Sequence, residues 1–366
     1  MLNLVLGLRA LGHEVDLACP PPPPDLDHQL LYYAQERGVE PVHLLDRRRG
    51  YRFPRDRDEV GRLRRLIRSR QYDVVHAHHT RDHLLCALAM RHLPNRLVVS
   101  WHHGSPVPAR PWNRLLLGPR GADGLVLLSP RLAEQATRSL GWPGERLAVV
   151  PGCVDVERFT PREPSGSHRR ELGLRPDDRL VGVVGRLQPH RRFDLLLEAF
   201  SQVRDRAPSL RLVVLGRGTR AHQVLHGPVA RLGLGSAVIS QYRRDDYIEV
   251  LSLLEALVFL VPGSDGSCRA LLEAMAMGIP GIVSHRGVLP ETVCHERHGL
   301  VISESSQELA SAFYDLWLNP ARWRAFGKAA RESVLENHSV EMAAGELERF
   351  YSGVTGMTRP LRAWPF

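Results

Sequence analysis

Short apolar runs alternate along this chain with longer segments in which apolar residues recur every three or four positions, the pattern of a parallel sheet with crossover helices. In the first half the runs predict strands at Glu14–Ala18, Val39–Leu44, Val74–Ala77, Leu97–Trp101, Gly124–Leu128 and Leu147–Val150. Between them Asp58–Ser69, His83–Arg91 and Pro130–Leu140 carry the helical period. This half, residues 1–160, reads as a Rossmann-like domain; the run Pro20–Pro24 inside it predicts a polyproline loop. From 161 to 178 the chain turns polar, with Pro161, Pro164, Gly166 and Pro176, as an interdomain linker does. A second series, 179–344, then begins. Its strands are expected at Leu180–Val184, Leu210–Leu215, Ala237–Ser240, Ala256–Leu260, Gly281–Ser284 and Gly299–Ile302, and its helices at Phe193–Arg204, Asp245–Leu254, Arg269–Met277, Ser306–Leu318 and Pro320–Glu336.

Composition sharpens this picture. A chain of 366 residues with 43% hydrophobic content is too large for one ordinary domain and suits two α/β domains with a cleft between them. It lacks both a run of about 18 apolar residues and a signal-like N-terminus, so a cytoplasmic location is expected. The five cysteines are odd in number and scattered without a Cys-x-x-Cys pair, which predicts reduced, mostly buried thiols. A formal charge of +9 favours an anionic partner: nucleic acid, an acidic membrane or a phosphorylated small molecule.

The most informative stretch is Val261-Pro-Gly-Ser-Asp-Gly-Ser-Cys-Arg-Ala-Leu-Leu-Glu-Ala-Met-Ala-Met-Gly-Ile-Pro280, a strand running into a Gly/Ser loop and then a helix. Amides near Gly266, Ser267 and Cys268, at the helix N-terminus, are suited to a phosphate. Asp265 and Glu273 lie on either side of that point, roughly 10 Å apart by helical rise. One carboxylate then suits sugar hydroxyls and the other ribose hydroxyls, the demand of an extended nucleotide sugar. Taken singly, Asp265 reads equally well as a helix cap and Glu273 as a solvated helix residue.

Here the chain resembles the retaining GT-B glycosyltransferases of family 4, whose Glu-x7-Glu motif runs into Leu-Leu-Glu-Ala-Met-Ala. This sequence has Asp265-Gly-Ser-Cys followed by Leu271-Leu-Glu-Ala-Met-Ala276. The resemblance implies that Glu273 binds the ribose and that Asp265, one methylene shorter than the family's Glu, contacts the donor sugar. It also implies that Arg186 and Arg191, in Gly185-Arg-Leu-Gln-Pro-His-Arg-Arg192, neutralise the donor diphosphate without a metal or other cofactor. Arg192 stands where the family usually has Gly. Val288-Leu-Pro-Glu-Thr-Val, Leu215-Gly-Arg-Gly-Thr, Leu11-Gly-His-Glu-Val and Pro151-Gly-Cys-Val-Asp resemble further family segments, although Gly152 and Cys153 depart from the usual Pro-Asn-Gly. The implied fold is GT-B, two Rossmann-like domains facing across a cleft, with the C-terminal tail 345–366 crossing back onto the first.

Histidines cluster after two strands of the first domain, in Val75-His-Ala-His-His79 and Trp101-His-His-Gly104. A zinc set is disfavoured for want of a Cys or a suitably placed third ligand. The resemblance puts His102 or His103 beside the transferred sugar, while His76, His78 and His79 read as hydrogen-bonded loop residues. Arginines concentrate between Arg47 and Arg70 with Tyr51 and Phe53 among them. No nucleic-acid fold motif accompanies them, so either a solvated face or peripheral contact with an anionic inner membrane surface is expected.

The expected partners are a nucleotide-sugar donor and a glycan or lipid-linked acceptor, in bacterial surface polysaccharide or lipopolysaccharide synthesis. A sugar-nucleotide epimerase of the same architecture and a non-catalytic GT-B nucleotide-binding protein are the rival readings. Family members open with a strand and a Gly-rich turn, whereas Met1-Leu-Asn-Leu-Val-Leu-Gly already reads as the helix that follows. Strands near Val15 and Val75 are then left without their shared central neighbour. The expectation is a start codon about 20 to 30 residues upstream, the length of one strand and its turn, or a rearranged first domain.

Overall fold

The computed structural model describes residues 1–19, 29–44, 55–108, 110–241, 246–263, 266–359 and 361–365. The Pro20–Pro24 run, the cluster from Arg47 to Arg52 and Asp265 therefore lie outside the described residues. The chain divides into two compact units, Met1–Pro151 with Val340–Phe366, and Gly152–Ser339.

Strands run in chain order as β1 (Glu14–Val15), β2 (Leu17–Cys19), β3 (Pro41–Leu44), β4 (Val74–Ala77), β5 (Arg96–Trp101), β6 (Gly124–Leu127), β7 (Leu147–Val149), β8 (Arg179–Val184), β9 (Leu210–Leu215), β10 (Val238–Gln241), β11 (Ala256–Phe259), β12 (Gly281–Ser284), β13 (Gly299–Ile302) and β14 (Arg362–Pro365). Each unit holds one six-stranded parallel sheet, ordered β1-β14-β4-β5-β6-β7 in the first and β10-β9-β8-β11-β12-β13 in the second. The expected α/β class with two Rossmann-like halves is what the chain forms.

Local chemistry sets several boundaries as expected. Pro130–Leu140 starts with Pro at its first position, behind Ser129, whose hydroxyl accepts the Leu132 N–H, and it stops at Gly141 with φ +73°. Ser305 caps Ser306–Leu318 in the same way through the Glu308 N–H. In the second unit, Phe193, Leu196, Leu197 and Phe200 of one helix pack in one core with Leu309, Phe313 and Leu316 of a neighbouring helix, the Phe200 and Phe313 rings 5.9 Å apart, while strands such as Ala256–Phe259 and Gly281–Ser284 are buried along their whole length and so read as unbroken apolar runs.

Two features depart from the expected strands. The single strand expected over Glu14–Ala18 is broken at Asp16, whose carboxylate accepts the Tyr72 O–H at 2.6 Å, and β2 beyond it pairs with β3 in a small separate sheet. The second departure concerns the central neighbour expected to be missing between Val15 and Val75. Strand β14, from the end of the chain, fills that position. It pairs in parallel with β1 (Glu14 with Arg362, Val15 with Ala363) and with β4 (Ala363 with Val74, Trp364 with Val75, Pro365 with His76).

The physical reason is backbone accounting: a central slot presents two rows of amides and carbonyls that cost free energy if buried unpaired. The extended segment 361–365 satisfies them, taking the Glu14 N–H on Leu361 O and the Asp16 N–H on Ala363 O, each at 3.1 Å. Its entry is fixed by the Leu361 N–H to His13 Nδ1 at 2.9 Å and by Arg359 to Asp73 at 3.0 Å. The helix Val340–Thr355 delivers it. That helix packs so closely on Leu2–Ala10 that a Cβ at Gly7 would meet Ala344 Cβ at 2.8 Å.

Candidate functional site

In the second unit, β8 and β9 each end in a glycine turn, and the two turns interlock. The Gly185 N–H donates to Leu215 O and the Leu187 N–H to Arg217 O. A Cβ on Gly216 would stand 1.9 Å from Gly185 O and one on Gly218 2.3 Å from Leu187 O, so only glycine fits at either position.

Past that point a single 3-10 turn, Pro189–Arg191, leads to Arg192, which adopts φ +61° before the helix Phe193–Val203. The left-handed backbone explains why the family prefers Gly here. An Arg costs about 1 kcal/mol in that region, and its guanidinium is anchored by ion pairs with Glu304 and, at 3.4 Å, with Asp194. Arg286 pairs with the same Glu304 and holds its carboxyl below the usual range. Arg192 thus belongs to a surface ion cluster, apart from the two arginines singled out for the donor.

Arg191 is half-buried and reaches across to the end of β11, donating from Nη1 to Val261 O at 2.7 Å, while its buried Nε has no partner among the described residues. Burial and the neighbouring Arg186 guanidinium both work against its charge. Neither arginine is paired with a carboxylate among the described residues, so two cations converge where β8 and β11 end, a field that attracts an anion. Cys268 lies within electrostatic reach of Arg191.

Beyond Val261, Ser264 and Asp265 lie outside the described residues, and the loop resumes at Gly266. Cys268 adopts φ +53° at the N-cap of Arg269–Ala276 and its thiol donates to Gly266 O at 3.2 Å. Gly152 backs this loop. A Cβ there would stand 2.3 Å from Ser267 O, which gives the departure from the family's Asn its consequence: a larger residue would push Ser267. His338 holds Gly152 in turn, its Nδ1 lying 2.9 Å from Gly152 O.

Glu273 is buried rather than solvated. It accepts the Tyr247 O–H at 2.9 Å and faces Arg269 Nε at 3.3 Å. Burial raises its carboxyl above the usual range, against the lowering effects of Arg269, Tyr247 and Arg158. Tyr247 is the residue the sequence reading missed: it sits inside the expected helix Asp245–Leu254, and its lone aromatic side chain there was the only available signal.

In the first unit the histidines form a continuous array where β4 and β5 end. His76 is buried with both nitrogens engaged, Nδ1 with Tyr351 Oη and Nε2 with Ser100 Oγ, each at 2.6 Å. Its ring lies 4.3 Å face-on from His78, and His78 Nδ1 is 2.6 Å from His102 Nε2. His83 is tied to Ala77 O at 3.0 Å, and His79 is exposed at the N-cap of Thr80–Met90. His103 is exposed and rests against Trp101. Burial holds His76 and His78 well below the ordinary histidine range and His83 at about 3. His78 and His102 bond to one another and do not converge on a common point. The one convergent ligand set among the described residues is His168, Glu171 and Asp246 in the second unit.

Three described cysteines are buried, Cys153 is half-buried and Cys294 is exposed. Among the described residues no helix is long and apolar enough to cross a membrane. Several arginines of Arg55–Arg70 are committed to packing: Arg64 donates to Ala89 O and Leu88 O at the end of the next helix, and Arg62 pairs with Glu59. Arg65 and Arg68 are exposed.

Two family models match the chain, Glycosyltransferase Family 4 over residues 1–158 and Glycosyl transferases group 1 over 165–333. The chain is 28% identical over 352 residues to the GDP-mannose-dependent alpha-(1-6)-phosphatidylinositol monomannoside mannosyltransferase of Mycolicibacterium smegmatis, covering 89% of this chain and 91% of that protein. Among solved structures, a glycosyltransferase from Rickettsia africae superposes with a TM-score of 0.80 at 14% identity, covering 96% of this chain and 93% of the other. Anabaena HepE in complex with UDP and glucose superposes with a TM-score of 0.76 at 17% identity, covering 93% and 99%.

Proposed function

This chain belongs to glycosyltransferase family 4 of the GT-B fold, and from that premise we propose that it moves a glycosyl group from a nucleoside diphosphate sugar to a glycan or lipid-linked acceptor with retention of configuration. The observation that carries the donor half of this reading is the convergence of Arg186 and half-buried Arg191, unpaired with any described carboxylate, at the carboxyl edge of the second unit's sheet. Guanidinium groups there offset a diphosphate in the bound donor and, more strongly, in the leaving nucleotide. No divalent metal is required in this scheme.

The amides of Gly266, Ser267 and Cys268 add donors for the same phosphates. Buried Glu273, oriented by Tyr247 and Arg269, takes the ribose hydroxyls, and Asp265 takes the sugar. His102, with His103 as the alternative, is the histidine we assign to the transferred sugar. A lipid-linked acceptor is favoured by the mannosyltransferase relative, whose name specifies a phosphatidylinositol mannoside. Bacterial surface polysaccharide or lipopolysaccharide synthesis is the setting we infer. Exposed Arg65 and Arg68 suit peripheral contact with anionic lipid, which salt-sensitive sedimentation with anionic but not neutral vesicles would report.

Nucleotide release from GDP-mannose and UDP-glucose, with and without a bacterial lipid extract, tests the reading. Acceptor-dependent release, with the α-anomer in the product, supports a retaining transferase. Release without acceptor favours the epimerase, and binding without turnover favours the non-catalytic protein.

A further inference from the structure

His78 and His102 follow two adjacent strands, β4 and β5, so the sheet itself brings them together. Their nitrogens are 2.6 Å apart, their ring centroids 5.0 Å apart and their planes inclined by only 9°. Rings stacked face to face would not bring two nitrogens into line at that distance. The values describe two imidazoles bonded edge to edge in nearly one plane, the best geometry for a shared proton.

His78 is itself immobilised. It is 3% exposed, its face is covered by His76, and His76 is pinned by Tyr351 of the helix Val340–Thr355 and by Ser100 of β5. A buried imidazole costs free energy unless it is bonded, and an apolar ring would fill the same space at no such cost. The bond to half-buried His102 is what a histidine supplies here that a phenyl ring does not.

We propose that His78 is the positioning residue for His102: it holds the His102 ring in one plane and one tautomer, so that whatever His102 does toward the substrate is done through Nδ1. The proposal rests on the reading that His102 meets the transferred sugar. If Nε2 carries the shared proton, Nδ1 is unprotonated and can only accept, as from a sugar hydroxyl. If His78 donates, Nδ1 carries a hydrogen and is a donor. Either state is single, whereas an untethered imidazole exchanges between the two.

The test uses full-length protein labelled with 15N-histidine, compared among wild type, His78→Phe, His78→Gln and His102→Ala. Wild type is expected to show one His102 tautomer and a through-bond nitrogen–nitrogen coupling to His78. In His78→Phe the His102 signals should move to the average of a tautomer mixture, and His78→Gln, which keeps a hydrogen-bonding side chain, should restore a single state. Turnover of GDP-mannose or UDP-glucose with lipid extract should fall about 10-fold or more in His78→Phe with the donor KM little changed. His78→Phe/His102→Ala should be no slower than His102→Ala alone.

An unchanged His102 tautomer in His78→Phe would overturn the positioning role. Full turnover in His102→Ala would instead overturn the role of His102, with the tautomer measurement still deciding whether His78 sets its state. Should His78→Phe not fold, absence of the nitrogen–nitrogen coupling in the wild-type protein would be equally fatal.

Discussion

Tyr247, half-buried, donates its phenolic O–H to the buried carboxylate of Glu273 at 2.9 Å, 26 positions along the chain in the second unit. Burial pushes the Glu273 carboxyl up, and the hydroxyl and Arg269 work to keep it charged. Tyr247→Phe removes one of those donors and should weaken nucleotide binding by about 1 kcal/mol, the net worth of such a bond. Glu273→Ala should cost about 2 kcal/mol or more. Calorimetric titration with GDP and UDP checks both, and unchanged affinity in Glu273→Ala would remove that residue from the donor site.

Arg186 and Arg191 are proposed to replace a metal ion at the diphosphate. Arg186→Ala should weaken nucleotide binding by about 2 kcal/mol or more, and Arg186→Lys should recover only part of this, since an ammonium lacks the planar fork. Turnover should persist in a chelator. Loss of activity in EDTA, restored by manganese, would show that a cation shares the task.

Strand β14 is an interior strand of the first unit's sheet, between β1 and β4, with Ala363 and the preceding Leu361 each 1% exposed. A stop after Gly356 should strip partners from the Glu14 and Asp16 amides and destabilise that unit by several kcal/mol, at about 1–3 kcal/mol for each buried group left unpaired. Hydrogen exchange reads this directly: both amides should be protected in the full chain and exchange fast in the shortened one. A synthetic Thr358–Phe366 peptide should restore protection in trans. Equal protection with and without the tail would mean that β14 contributes little.

Acid should weaken the first unit before the second. His76 and His78 are held well below the ordinary histidine value and His83 at about 3, so each takes up a proton on unfolding once the pH falls below about 6.5. Their contribution is complete above that pH and is lost as the pH falls. Asp82 works the other way: burial raises its carboxyl to about 6, so between about 3.9 and that value the folded form holds the extra proton. Three histidines against one aspartate leave a net uptake of about two protons near pH 5, each on the order of 1.4 kcal/mol per pH unit. Urea unfolding followed by exchange at β4 and β5 amides should show a lower midpoint at pH 5 than at pH 7. A midpoint that holds or rises on acidification would contradict the buried neutral array.

What the sequence determined by itself is local. Apolar period placed β9 at Leu210–Leu215 and β12 at Gly281–Ser284, and Ser129, Pro130 and Gly141 bounded a helix, because each of these depends on residues a few positions apart. The spacing of Arg186, Arg191 and Glu273 was likewise written in short motifs, each bound to one strand end or one helix. Tertiary structure decided what touches what across the chain. Four residues containing Trp and Pro show no strand period, yet Arg362–Pro365 becomes an interior strand because β1 and β4 present backbone groups that must be paired. Gly152 is required by the Ser267 carbonyl, Glu273 is buried by Tyr247, and His102 is tied to His78. In each case the energy lies in desolvated contacts that exist only once the sheets have assembled, and no local pattern encodes which distant partner will be there.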